Sequence, residues 1–286
     1  MKTVVITGAS TGIGRAAAEY LAGQGWTVFA GVRKHSDGEP LSKGNSNIRP
    51  LILDVAKPDQ VSAAVKTVSA ALDGQTLTGL VNNAGIANMG PLAVQPLDQF
   101  RQHFDVNVFG LLSATQAFLP LLGMDEARSG APGRIVNITS VGGRISAPFL
   151  GAYTATKHAV EAMTDSLRRE LIIYGIDAIA IGPGSVKTPI WDKAEDMNRD
   201  HPYASSAWAD PLETFADVML EGGRNGLDPE VIGQTIESAL SDRSPKARYA
   251  PVPDKLTNWT IPTRLPKRWL DRIFWKRFGL TRKTKD

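Results

Sequence analysis

A chain of 286 residues with 42% hydrophobic and 21% charged side chains has ordinary globular composition and enough apolar mass for one full α/β core. It holds no cysteine, which excludes disulfides, thiolate catalysis and cysteine-ligated metal, and its four histidines, His35, His103, His158 and His201, lack metal-ligand spacing. The net charge of +3 belongs to the end of the chain, where residues 257–286 carry nine Lys/Arg against two Asp/Glu; the first 256 residues sum to −4, which argues against nucleic acid as a partner.

The apolar opening Val4-Val5-Ile6 is far too short for a signal peptide or a membrane span and reads as a first strand, Thr3–Thr7, in a cytoplasmic protein. There Thr7-Gly8-Ala9-Ser10-Thr11-Gly12-Ile13-Gly14 leads into an alanine-rich helix predicted over Gly12–Gln24. Glycines at a strand-to-helix junction let the chain turn sharply and bring backbone N–H groups to a pyrophosphate, which the helix N-terminus also favours. A strand at Thr27–Val32 follows, ending in Arg33-Lys34, then a strand at Ile48–Leu53 and a helix at Lys57–Leu72. The next strand, Leu80–Asn82, runs into Asn83-Ala84-Gly85.

A helix over Leu97–Pro120 carries a polar residue, Asn107, in an apolar stretch; a buried amide there needs partners and is read as functional. The strand Arg134–Thr139 is followed at once by Ser140, at the sheet end where open parallel sheets place ligands. In the helix Gly151–Tyr174, Tyr153 and Lys157 stand four apart and so share one face. A nearby ammonium favours phenolate, which lets a tyrosine exchange a proton with an alcohol near neutral pH. After the strand Asp177–Gly182, residues 183–226 are mixed and rich in Pro, Gly and aromatics, and this irregular stretch is read as a substrate lid. A helix at Pro229–Leu240 and a strand at Arg248–Pro251 complete a Rossmann-like, doubly wound parallel α/β sheet over residues 1–251, and residues 252–286 form a basic C-terminal extension.

The glycine spacing resembles that of the short-chain dehydrogenase/reductase family, and Asn107, Ser140, Tyr153 and Lys157 match that family's catalytic tetrad in order and approximate spacing. The resemblance implies a metal-free oxidoreductase that moves hydride between nicotinamide and a ketone or secondary alcohol. In it Tyr153 is the proton donor, Ser140 holds the substrate oxygen, and Asn107 supports a water chain to Lys157. It also implies a cofactor held by Gly8, Ser10, Thr11, Gly12, Ile13, Gly14, Asp54, Val55, Asn83, Ala84, Gly85, Tyr153, Lys157, Pro183, Gly184, Val186 and Thr188. The acid that binds the ribose hydroxyls in NAD enzymes is replaced by Val32, and Arg33 follows. An Arg fork suits a 2′-phosphate, so NADP is expected over NAD, the alternative being that Arg33 and Lys34 form a solvated strand end.

The residues expected to line the cleft, Ala147, Phe149, Leu150, Ile190, Trp191, Met197 and Trp208, are apolar, with Arg144 and Lys193 as the exceptions. They point to a bulky, lipophilic small-molecule carbonyl or alcohol, in keeping with a likeness to steroid- and retinol-acting members. In the tail, Trp269, Leu270, Ile273, Phe274 and Phe278 recur at helical spacing among Arg and Lys, and two placements stay open: on an anionic membrane surface, or docked on the body or a neighbouring subunit. A homodimer or homotetramer, paired through the helices at 97–120 and 151–174, is implied by the resemblance. The rival reading is a non-catalytic NADP-binding sensor or scaffold.

Overall fold

In the computed structural model residues 2–189, 191 and 202–282 are described. Seven strands form one parallel sheet in the order β3-β2-β1-β4-β5-β6-β7. They are β1 (Thr3–Ile6), β2 (Thr27–Val32), β3 (Ile48–Ile52), β4 (Gly79–Asn82), β5 (Arg134–Ile138), β6 (Asp177–Ile181) and β7 (Arg248–Tyr249). The chain winds outward from β1 to β3 and then returns to β4 on the other side. This makes β1/β4 the topological switch point, where an open sheet opens a crevice beyond its carboxyl ends.

The uninterrupted apolar strands have a direct cause. In β1, Val4 and Ile6 enter one core with Ala17, Leu21, Ile232 and Ile236, while Val5 enters the other with Val68, Phe118 and Leu171. Both faces of each central strand are therefore buried, and alternation disappears. The first core is closed by α1 (Gly12–Gly23) and α8 (Pro229–Ser241). α8 starts where the Asp228 carboxylate accepts a hydrogen bond from the Glu230 amide at 3.1 Å, with Pro229 in the first turn. The second core is closed by α3 (Pro58–Leu72), by α5 (Leu111–Phe118) and by α6 (Gly151–Glu170) with its terminal 3₁₀ turn Leu171–Tyr174.

The helix expected over 97–120 is α4 (Leu97–Phe104) and α5 joined through a π-helical turn, Asp105–Gly110, which contains Asn107. The whole run Leu97–Leu122 is long and apolar enough to cross a membrane by composition, but half of its apolar window is buried in the fold, as for a core helix. Two α-helices among the described residues were not foreseen. α2 (His35–Gly44) contains Gly38 and Pro40 and buries little besides Leu41, so it carries almost no periodic signal. α7 (Ala209–Arg224) corrects the expectation that residues 183–226 are irregular throughout: Leu212, Phe215, Ala216 and Leu220 form one apolar face, masked in sequence by Pro211 and Gly222-Gly223.

α7 is the base of a satellite core made with Phe149, Tyr203 and the tail. The tail forms α9 (Lys267–Arg277), and Phe278 just beyond it is buried. The Phe278 ring sits 5.1 Å from Phe215, which in turn lies 5.6 Å from Phe149, both edge-on. One face of the tail is thus docked on the body; Trp269 and Ile273, on the other, remain exposed.

Candidate active site

The glycine turn is built around close backbone approaches. Gly8 has φ +67°, and a Cβ there would lie 2.8 Å from the Ala84 Cα. A Cβ at Gly14 would overlap the Gly8 carbonyl and the Asn83 amide. That cradle is held from beneath, since the Asn83 side-chain amide donates to the carbonyls of Thr7 and Gly8, both at 3.0 Å. The Thr7 hydroxyl in turn accepts from the amides of Asn83 and Ala84. Here Asn83 and Ala84 support the turn, and the space left at the start of α1 fits a pyrophosphate.

Around this cradle the other expected cofactor residues converge at the carboxyl ends of the strands. Thr188 packs 3.5 Å from where a Gly12 Cβ would stand. The Pro183 carbonyl accepts from the Val141 amide and the Gly184 amide donates to Pro251, while Val186 bridges to Leu227. Asp54 accepts from the Ala56 amide at 3.1 Å, and Val55 is buried against the π turn at Gly110. Ser10 and Ile13 are half-buried in the turn and Thr11 is exposed. At the end of β2, Val32 is buried and Arg33 is exposed, with no ion pair to any described residue. An unpaired guanidinium beside the cradle fits a 2′-phosphate.

The tetrad residues are brought together on one side of this cleft. Asn107 is 1% exposed. Its side-chain amide donates to the Ile86 carbonyl at 2.9 Å and the Thr156 hydroxyl at 3.1 Å, and its oxygen accepts from the Ile86 amide at 2.8 Å. The π turn aims it away from the outer face, and its polar atoms are satisfied by the loop bordering Gly85 and by α6. Lys157 is buried; its ammonium donates to the Ile138 carbonyl at 2.8 Å and lies 5.6 Å from the Tyr153 ring centre. The Ser140 hydroxyl accepts from the Gly142 amide at 3.0 Å, which pins it at the mouth of β5.

In the chain alone, burial pushes the Tyr153 phenol above its ordinary range, with the Ser140 hydroxyl acting in the opposite sense. The neutral phenol is therefore the resting form, which suits a proton donor. Lys157 is lowered to about 8 by burial, partly offset by Glu161.

Two of the expected substrate contacts are placed differently. Arg144 pairs with Glu161 at 3.2 Å and is not free for an anionic substrate. Trp191 donates to the Val186 carbonyl at 2.7 Å and packs on Gly223, whereas Ala147, Phe149, Leu150 and Trp208 share the satellite core. Ile190, Lys193, Met197 and His201 lie outside the described residues. His103 and His158 bond to backbone, and no group of three metal-ligating side chains occurs among the described residues. The sequence reading missed Glu161 and Arg248; the spacing of Glu161, four residues after Lys157, was the available signal.

Comparison with known proteins agrees with this geometry. Residues 2–199 match the family model described as short chain dehydrogenase. The chain belongs to the short-chain dehydrogenase family. It is 36% identical over 277 residues to an NADPH-dependent 3-dehydrocapnine reductase of Ornithobacterium rhinotracheale, covering 96% of this chain and 97% of that protein. It is 35% identical to retinol dehydrogenase 5 of Mus musculus, covering 94% and 86%. A short-chain dehydrogenase structure from Streptomyces avermitilis superposes with a TM-score of 0.75 at 24% identity over 98% of this chain and 97% of that one. A 3-ketoacyl-(acyl-carrier-protein) reductase from Brucella melitensis complexed with NADH gives 0.71 at 23% identity over 88% and 96%. These two structures share the Rossmann-like fold. Membership makes the chain an oxidoreductase that acts on CH–OH or C=O groups with a nicotinamide cofactor.

Proposed function

We propose that the chain is an NADP-dependent oxidoreductase that reduces a bulky, lipophilic ketone or oxidises the matching secondary alcohol. The observation that carries this reading is the buried Lys157 ammonium beside the Tyr153 ring, at the strand ends flanking the glycine cradle. When bound, the nicotinamide supplies or accepts the hydride. Ser140 hydrogen-bonds the substrate oxygen, and Tyr153 gives that oxygen a proton from its neutral phenol. The Lys157 ammonium stabilises the phenolate left behind and would hold the nicotinamide ribose. Asn107 anchors the Gly85–Ile86 loop, and that anchoring supports proton return towards Lys157. Arg33 takes the 2′-phosphate.

The substrate class rests on the apolar character of the residues expected at the cleft, Ala147, Phe149, Leu150 and Trp208, which gather in one aromatic and aliphatic cluster with α7 and the tail. A panel of small polar and bulky lipophilic ketones, followed by loss of NADPH absorbance, tests it. Turnover is expected with the bulky ketones; turnover confined to small polar ones would defeat the substrate assignment, and NADPH binding with no turnover on either would favour the sensor.

The same proposal divides the chain into a cytoplasmic dehydrogenase body, residues 1–251 with the lid at 183–226, and a basic extension, residues 252–286. A homodimer or homotetramer is supported by exposed Leu97, Phe109, Ile172 and Ile173 on the two long helices, and a solution mass measurement reads it directly. Peripheral membrane contact is supported by the undocked face of α9, where exposed Trp269 and Ile273 stand beside Arg272 and Lys276. Co-sedimentation with anionic vesicles at low salt is expected for the parent chain and is expected to drop at least about tenfold when Trp269 and Ile273 become Ser. A parent chain that stays in the supernatant excludes the contact.

A further inference from the structure

Glu161 is a buried carboxylate that the mechanism above does not use. Burying a charge is costly unless it is fully paired, and here four donors converge on it. The Thr139 hydroxyl donates to Oε1 at 2.6 Å, and Arg248 Nε lies 3.1 and 3.0 Å from the two oxygens. Arg144 reaches Oε2 through Nε and Nη2, both at 3.2 Å. The chain makes room for this pair. A Cβ at Gly143 would sit 2.9 Å from the Glu161 Cγ, and one at Gly182 would overlap the Arg248 guanidinium.

What the pair touches is the site. Arg248, on β7, also donates through Nη2 to the Ser140 carbonyl at 3.4 Å, while its guanidinium stacks 4.1 Å over Trp259 of the tail. Thr139 immediately precedes Ser140, and Glu161 lies one helical turn beyond Lys157 on α6. We propose that Glu161 and Arg248 are a positioning pair that fixes the Ser140 backbone and the turn of α6 that carries Lys157; this rests on the catalytic reading of the tetrad.

The surroundings of Lys157 agree with the assignment. The Tyr153 ring lies 5.6 Å from the ammonium, the neutral Asn107 amide meets it across Gly85, and Glu161 follows one turn on along α6 with Arg144 and Arg248 on its carboxylate. Glu161 is the acid in this set. It raises the Lys157 pKa against a burial effect that brings it down to about 8.

Glu161→Gln keeps the shape and removes the charge. Its kcat for carbonyl reduction is expected to fall about 10- to 100-fold, with the NADPH Kd, read by fluorescence, within about twofold of the parent. The alkaline limb of its kcat–pH profile is expected to move to lower pH, because the ammonium loses its anion and gives up its proton earlier. Arg248→Lys leaves Glu161 a cation but loses the fork onto the Ser140 carbonyl, so kcat is expected to fall with the limb in place. A parental kcat and limb in Glu161→Gln overturns the proposal. So does a loss equal at every pH that tracks a lowered Tm, since that is a structural role alone. If Glu161→Gln does not fold, Arg248→Lys decides, and parental kcat there overturns the proposal. Failure of the tetrad reading is distinct, since it appears as an active Tyr153→Phe.

Discussion

Tyr153→Phe is expected to lower turnover by on the order of 10²- to 10⁴-fold while leaving NADPH binding within about twofold of the parent. The substitution keeps the ring and its packing against Gly142, and removes only the hydroxyl that faces Ser140. Because burial keeps the phenol neutral, the lost group is a proton donor in the reductive direction, and the deficit belongs in kcat. Steady-state kinetics with a fluorescence titration of the same preparation separates the two terms. A variant that keeps even a tenth of the parental kcat places the proton donor elsewhere.

The second large effect is on cofactor choice. Arg33→Glu is expected to weaken NADPH binding by roughly 10- to 150-fold, the equivalent of about 1.5–3 kcal/mol for a lost charge-assisted contact, and NADH binding is expected to hold or improve. The exposed position of Arg33 and its lack of an ion pair among the described residues make the change local, so a folding defect does not confuse the titration. A parent chain that prefers NADH would show that Arg33 is a solvated strand end.

The fold was legible where its physics is local and repeated. Doubly buried parallel strands leave apolar runs, and their helices leave a 3.6-residue period, so β1 to β6 and α1, α3, α6 and α8 were placed to within about four residues. α2 was not, because Gly38 and Pro40 suppress the signal that tertiary packing against Pro50 restores. α7 was hidden for a related reason: its apolar face makes sense only against Phe149 and Phe278, residues distant in sequence. The π turn that orients Asn107 also left no pattern, since one extra residue in a helical turn does not change composition.

At the site, residue identities were readable and their couplings were not. Tyr153 and Lys157 are four apart in sequence, but the phenol pKa is set by burial that the spacing does not encode. The ion pair of Glu161 with Arg248 spans 87 positions and joins α6 to the sheet edge. Similarly, Arg144 looked available for a substrate anion until the fold brought Glu161 to it.

The strand order has a consequence for how the protein reaches this state. β1 lies beside β4, with Val4 opposite Gly79, and none of the seven strands is joined to its neighbour by a hairpin. The crevice at the switch point therefore cannot exist until chain segments some 75 positions apart have met. Loop-closure entropy has to be overcome before these pairings return any stability, so refolding is expected on a slower timescale than the microseconds to milliseconds of helical bundles. During synthesis β1, β2 and β3 emerge with apolar faces and with the ladder edge of β1 unpaired until β4 follows, and this interval is when the nascent chain is most exposed to aggregation.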